Sequence, residues 1–158
     1  MKSTLSKSII TGILLTFCLS LLIVLYGFVN SLFCSYQLKI THSPTNQIDL
    51  SCRVGKVSVL HTEESHTENT VALWRISARQ LLFGNQLIFL IWDRERIGGP
   101  LTASTADIDD YNYSVKDFNT LFYFVKRTDN QLTIFEKFPE HNVYTADLKG
   151  KLGLIEPN

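Results

Sequence analysis

Residues 46–61 read NQIDLSCRVGKVSVLH. Ile48, Leu50, Cys52 and Val54 share one parity, and Asp49, Ser51 and Arg53 share the other. Successive side chains of a strand point to opposite faces, so this alternation predicts a half-buried β-strand rather than a helix. Gly55 interrupts it as a bulge or turn. Val57 and Val59 resume the same period out to about His61.

The pattern recurs on both sides. Upstream, Tyr36, Leu38 and Ile40 alternate with polar residues, and His42-Ser43-Pro44-Thr45-Asn46 reads as a turn. Downstream, Val71 to Ile76 is a strand candidate, with Trp74 as a core or rim aromatic. Gln80 to Phe83 and Gln86 to Trp92 flank Gly84-Asn85, a two-residue hairpin signal in which Gly supplies the positive φ of a type II′ turn. Leu87 to Ile91 is apolar on both parities and predicts a strand covered on both sides. Thr120 to Lys126 and Leu132 to Lys137 form a further hairpin, and Val143 to Leu148 a last strand. The expected fold class is a small, mainly-β antiparallel domain, either a sandwich or a partly open barrel.

Before this domain lies SIITGILLTFCLSLLIVLYGFVNSLF, residues 8–33, with no charge between Lys7 and Lys39. A helix needs about 20 apolar residues to cross a bilayer core of roughly 30 Å. The reading is a transmembrane signal-anchor. Lys2 and Lys7 precede it, which predicts a cytoplasmic N-terminus. The competing reading is a cleaved signal peptide ending at Ser31, which the length of the apolar run disfavours. The expected organisation is residues 1–7 cytoplasmic, 8–33 in the membrane, 34–150 an extracytoplasmic domain and 151–158 a polar tail.

Gly12, Thr16 and Ser20 recur every four residues, and small side chains at that spacing let helices pack closely in lipid. They predict self-association or a partner helix. Cys34 and Cys52 both fall outside the membrane, where disulfides form, and are a candidate bridge; Cys18 is a packing residue within the apolar run.

Formal net charge is +0, from 15 basic and 15 acidic residues. Removing Lys2 and Lys7 leaves 13 basic residues outside, with no basic cluster to bind phosphates, so nucleic acid is not an expected partner. No catalytic, cofactor or metal site is expected. His61 and His66 beside Glu63, Glu64 and Glu68 lack zinc spacing, and Thr62 to Asn69 reads as an exposed loop. Asp107, Asp109, Asp110 and Asn112 lack the glycine and glutamate of a calcium loop and read as a solvated turn; Asn112-Tyr113-Ser114 matches a glycosylation sequon. Val115 to Asn119 reads as a helical turn. Cys52 with His61, His66 or His141 could form a nucleophile–base pair, but Cys52 lies on the apolar face. Asp93 and Glu95 flank Arg94 and Arg96 and read as neutralised by them.

These observations lead to an expected single-pass protein of a bacterial inner membrane with a periplasmic domain. It would be a binding or assembly module of an envelope complex with a protein partner, including the narrower option of an inhibitor or immunity protein. The alternative is an envelope hydrolase.

Overall fold

The computed structural model describes residues 2–41, 43–64, 71–99, 106–137 and 141–157. Helix α1 (Lys2–Leu32) leads into strands β1 (Ser35–Thr41), β2 (Asn46–Arg53), β3 (Lys56–Glu64), β4 (Val71–Phe83) and β5 (Gln86–Gly98). Helix α2 (Ala106–Ser114) comes next, then β6 (Thr120–Thr128), β7 (Gln131–Glu136) and β8 (Asn142–Lys151). Every strand pairs antiparallel with its neighbour in sequence, and β8 returns to β1 through Ser35↔Lys151 to Leu38↔Leu148. The result is a closed barrel of eight strands.

Closure corrects the expected sandwich or open barrel. The first and last strands meet and pair, so the sheet is joined into a barrel. It depends locally on Gly150, whose φ is +111°; a Cβ there would fall 1.9 Å from the Ser35 carbonyl oxygen. Only a residue without a side chain lets β8 come that close to β1.

The parity read from residues 46–61 holds for Leu50, Cys52, Val57 and Val59, which are buried. Val54 departs from it. Val54 (φ +53°) and Gly55 (φ +73°) form the two-residue turn between β2 and β3, and Val54 is exposed. Positive φ at both central residues suits the right-handed twist of a hairpin. Gly84 (φ +55°) plays the corresponding part between β4 and β5.

Three further expectations change. Val71 to Ile76 and Gln80 to Phe83 belong to one continuous 13-residue strand, β4. The outward residues of Leu87–Ile91 are not covered: Leu90 is exposed, and Ile88 is only half-buried. Thr62 to Glu64 continue β3 instead of starting a loop; the remainder of that expected loop, residues 65–69, lies outside the described residues.

The two barrel ends differ. At the base, Cys34 and Cys52 are joined by a disulfide with Cα atoms 5.8 Å apart. Buried Tyr36 donates to Gln80 Oε1 at 2.8 Å, and Gln80 Nε2 donates to the Leu152 carbonyl at 2.6 Å. Leu82, Val125, Leu132 and Leu148 fill the space around them. Helix α1 enters this plug through Asn30 and Ser31, both buried. Asn30 Nδ2 donates to the carbonyls of Leu82 (3.1 Å) and Ile155 (3.3 Å), while its Oδ1 accepts from the Ile155 N–H (2.7 Å). The C-terminal segment is thus held against the helix, and Leu152 is part of the core. From Ile9 to Tyr26, by contrast, every side chain of α1 is exposed.

A cavity under a helical lid

The upper half of the barrel is hollow. A cavity of about 230 Å³ opens between the strands, with a wall formed mainly by Leu50, Ile76, Leu87, Phe89, Leu121 and Ile134. An engineered apolar cavity of about 150 Å³ holds benzene, and pockets for drug-sized ligands start near 300 Å³. This one has room for a small molecule. Eight strands give a barrel just wide enough for that.

Polar groups gather at the upper end, where Asn46, His61, Arg94, Tyr111, Glu136, Asn142 and Tyr144 meet the apolar wall. Their delivery depends on one irregularity. In β5, Leu87, Phe89 and Ile91 face inward and Ala78 pairs with Ile91. The next pair is Ser77↔Asp93, which leaves Trp92 as an extra, unpaired residue. This β-bulge reverses the parity of the residues beyond it. Arg94, opposite Ile76, now lines the cavity. An unbroken strand would have turned Asp93 inward.

The expected neutralisation of Asp93 and Glu95 by Arg94 and Arg96 is corrected by the same bulge. Glu95 pairs instead with Arg75 across the strands, and Arg96 pairs with Asp109 of α2 at 2.9 Å. Arg94 Nη1 donates to the Asn112 carbonyl at 3.4 Å, and its buried Nε finds no acceptor among the described residues. Burial disfavours the charged guanidinium and lowers its pKa, opposed by the nearby oxygens of Tyr111 and Tyr123. Arginine nevertheless stays protonated in proteins.

Glu136 is buried and accepts from two phenols, Tyr111 at 3.4 Å and Tyr144 at 3.3 Å. Burial pushes the Tyr111 and Tyr123 pKa values up, and the Glu136 carboxylate pushes in the same direction. Both phenols therefore stay neutral donors at physiological pH. His61 Nε2 donates to Asn46 Oδ1 at 2.9 Å, and its Nδ1 accepts from Asn112 Nδ2 at 3.5 Å. The ring is held in place as part of the rim.

Helix α2 roofs the cavity, where a solvated acidic turn was expected. Ile108, Asn112 and Val115, spaced four and three apart, are all buried, so one face of the segment is buried at helical period, apolar but for Asn112. Asp109 Oδ1 accepts from Trp74 Nε1 at 2.6 Å as well as from Arg96, and the Glu63 carboxylate accepts from the Ile108 N–H at 3.2 Å. The Trp74 and Tyr113 rings meet edge-on at 5.2 Å. Asn112, the sequon residue, has a fully buried side chain that donates to the Ile108 carbonyl at 2.9 Å.

The other sequence candidates lie apart from the cavity. Cys52 is in the disulfide at the base, which removes it as a nucleophile for His61. His66 and Glu68 lie outside the described residues. Among the described residues no group of three His, Cys, Asp or Glu side chains could hold a metal ion. Gly12, Thr16 and Ser20 are exposed on α1, and the Thr16 and Ser20 hydroxyls donate to the carbonyls of Gly12 and Thr16 at 2.9 Å each. Comparison with family models, curated proteins and solved structures found no match to this chain.

Proposed function

We propose that this chain is a membrane-tethered binding module whose barrel holds one small, largely apolar molecule on the extracytoplasmic side of a bacterial inner membrane. The observation that carries the reading is the cavity itself: an apolar wall, a polar upper end and a hydrogen-bonded helical roof. Small-molecule sites are mostly apolar concavities with a few fixed polar groups.

The tether draws on α1, whose 24-residue apolar span from Ile9 to Leu32 contains an 18-residue window of mean hydropathy 2.6. The base of the barrel is suited to a lipid interface, because Phe33, Val54, Leu154 and Ile155 are exposed around the point where the helix enters. Retention of the helix fits the Asn30 bonds. Cleavage at Ser31 would strip those partners from Leu82 and Ile155 and unseal the plug. Lys2 and Lys7 support an inward N-terminus.

A second reading, an assembly module or an inhibitor-type protein with a protein partner, is favoured by the outer wall. Leu90 and Trp92 on β5, Phe122 and Phe124 on β6, Phe135 on β7 and Val143 on β8 are all exposed. Phe124 pairs with Phe135, and Phe135 with Val143, so the apolar surface is continuous across strands. Self-association through Gly12, Thr16 and Ser20 belongs to the same reading. The hydrolase alternative has less support, because His61 is held by Asn46 and Asn112 and Glu136 by two phenols, and no Ser, Cys, Thr or Lys is among the described residues lining the cavity.

The test is ligand-observed NMR on the full chain in lipid nanodiscs, with small phenylalkyl probes and empty nanodiscs as reference. Saturation transfer to the probes is expected, and it should be lost in Ala78→Leu and in Leu50→Phe, two independent fillings of the cavity. Transfer unchanged in both folded variants would remove the reading.

A further inference from the structure

The cavity is apolar along its wall but carries at its upper end a guanidinium with no carboxylate paired to it. Among the described residues, no carboxylate forms an ion pair with Arg94. Its Nε is buried without an acceptor, although the side chain lines the cavity. Glu136, by contrast, has two tyrosine hydroxyls donating to it. The two groups at the upper end are therefore provisioned unequally: Glu136 has two phenol donors, whereas the Arg94 guanidinium has one long bond from Nη1 to a carbonyl and no acceptor at Nε.

Desolvating an ion without a partner is costly, and so is a buried donor left unpaired. Such groups persist where something else completes them, and a planar guanidinium matches a carboxylate through parallel N–H donors. Tyr123 adds a neutral phenol close to the guanidinium, and burial keeps it protonated at neutral pH.

We propose that the cavity takes a small amphiphilic carboxylic acid. The carboxylate sits at the Arg94 guanidinium, and the apolar body lies down the barrel against Leu50, Ile76, Phe89 and Ile134. This rests on the reading that the cavity is a ligand site, and it adds the chemical class of the ligand and its direction. The bulge at Trp92 is then the specificity device, because it turns Arg94 rather than Asp93 into the barrel.

The experiment compares three probes with one apolar body, 4-phenylbutyrate, 4-phenylbutan-1-ol and 4-phenylbutylamine, on the full chain in nanodiscs, titrated against empty nanodiscs. The acid should bind at least tenfold more tightly than the alcohol, and the amine more weakly than either. Arg94→Gln should remove the preference for the acid while leaving the alcohol's affinity in place, and Arg94→Lys should retain part of it. Thermal melting identifies a variant that fails to fold, in which case the wild-type order of the three probes and the Lys variant decide. Equal binding of acid and alcohol, preference for the amine, or an acid preference that survives Arg94→Gln would each overturn the assignment while leaving the cavity a ligand site. Binding of none of the three would remove the ligand site itself, and the assignment with it.

Discussion

Trp74 on β4 donates its indole N–H to Asp109 on α2 at 2.6 Å, and this bond fastens the roof of the cavity to the barrel wall. Asp109 is buried and also receives Arg96, so the carboxylate has two donors and the indole one acceptor. In Trp74→Phe the carboxylate loses one donor and the Tyr113 ring loses its edge-on partner. A lost buried hydrogen bond of this kind is worth about 1–3 kcal/mol. Hydrogen exchange should rise in residues 106–115 well before it rises in β1 to β4. Uniform acceleration through the barrel would mean that the roof is not a separate element.

Asn30 ties three parts of the chain together, α1, the end of β4 and the C-terminal segment. In Asn30→Leu, the Leu82 carbonyl and the Ile155 N–H lose their partner inside the base. The expected loss is about 1–3 kcal/mol, chiefly from the buried Leu82 carbonyl, because the Ile155 N–H is only part-buried. Denaturant unfolding of the full chain in detergent should show it, and limited proteolysis should release the segment after Lys151. Unchanged stability would mean that helix and barrel are joined only by the chain between them.

The Cys34–Cys52 bridge closes a loop with a sequence separation of 18 residues. Constraining the unfolded chain over a loop of that size contributes about 3 kcal/mol. Reduction should lower the unfolding midpoint accordingly, and the Cys34→Ala, Cys52→Ala double variant should match the reduced protein. If the reduced and oxidised forms melt together, the base is held by Tyr36, Gln80 and Leu152 alone.

Alkaline pH should open the barrel from within. Burial raises the pKa values of Tyr36, Tyr111 and Tyr123, whereas in the unfolded chain these phenols ionise near 10.0. Above that pH the unfolded chain binds fewer protons than the folded one, so stability falls with rising pH. It is full below about pH 10 and is lost as the pH climbs towards the folded values. The phenolate absorbance of these three buried tyrosines and loss of β-sheet circular dichroism should therefore rise together above pH 10. Ionisation of all tyrosines at the ordinary value with the sheet intact would contradict their burial.

Most of the strands were legible because the barrel interior imposes a period of two, as at Tyr36, Leu38 and Ile40 or at Leu50 and Cys52. Closure was not, because the pairing of β8 with β1 is a contact between distant residues whose local trace is one glycine, Gly150. The cavity site was hidden for a related reason. A bulge shifts parity without changing composition, so the run from Asp93 to Arg96 looks like a solvated strand end although Arg94 faces inward. An exposed tryptophan between an apolar strand and that charged run was the only signal. The roof helix was missed because Asp107 to Asn112 is acidic; the apolar spacing of Ile108 and Val115 with buried Asn112 carried the helical period. The outer wall had the opposite problem. Leu87 to Ile91 is apolar on both parities, which predicted cover on both sides, and Leu90 is instead exposed.

A ligand site inside the barrel requires small molecules to enter it rather than coat it. Isoleucine methyl NMR on the full chain in nanodiscs separates the two directly, because Ile48, Ile76 and Ile134 line the cavity while Ile97 and Ile155 are exposed elsewhere. On titration with 4-phenylbutyrate, the three cavity methyls should shift together and saturably, with Ile97 and Ile155 unmoved. Shifts confined to Ile97 and Ile155, or shifts that grow linearly without saturation, would mean that the probe stays on the outer surface and the cavity takes no ligand.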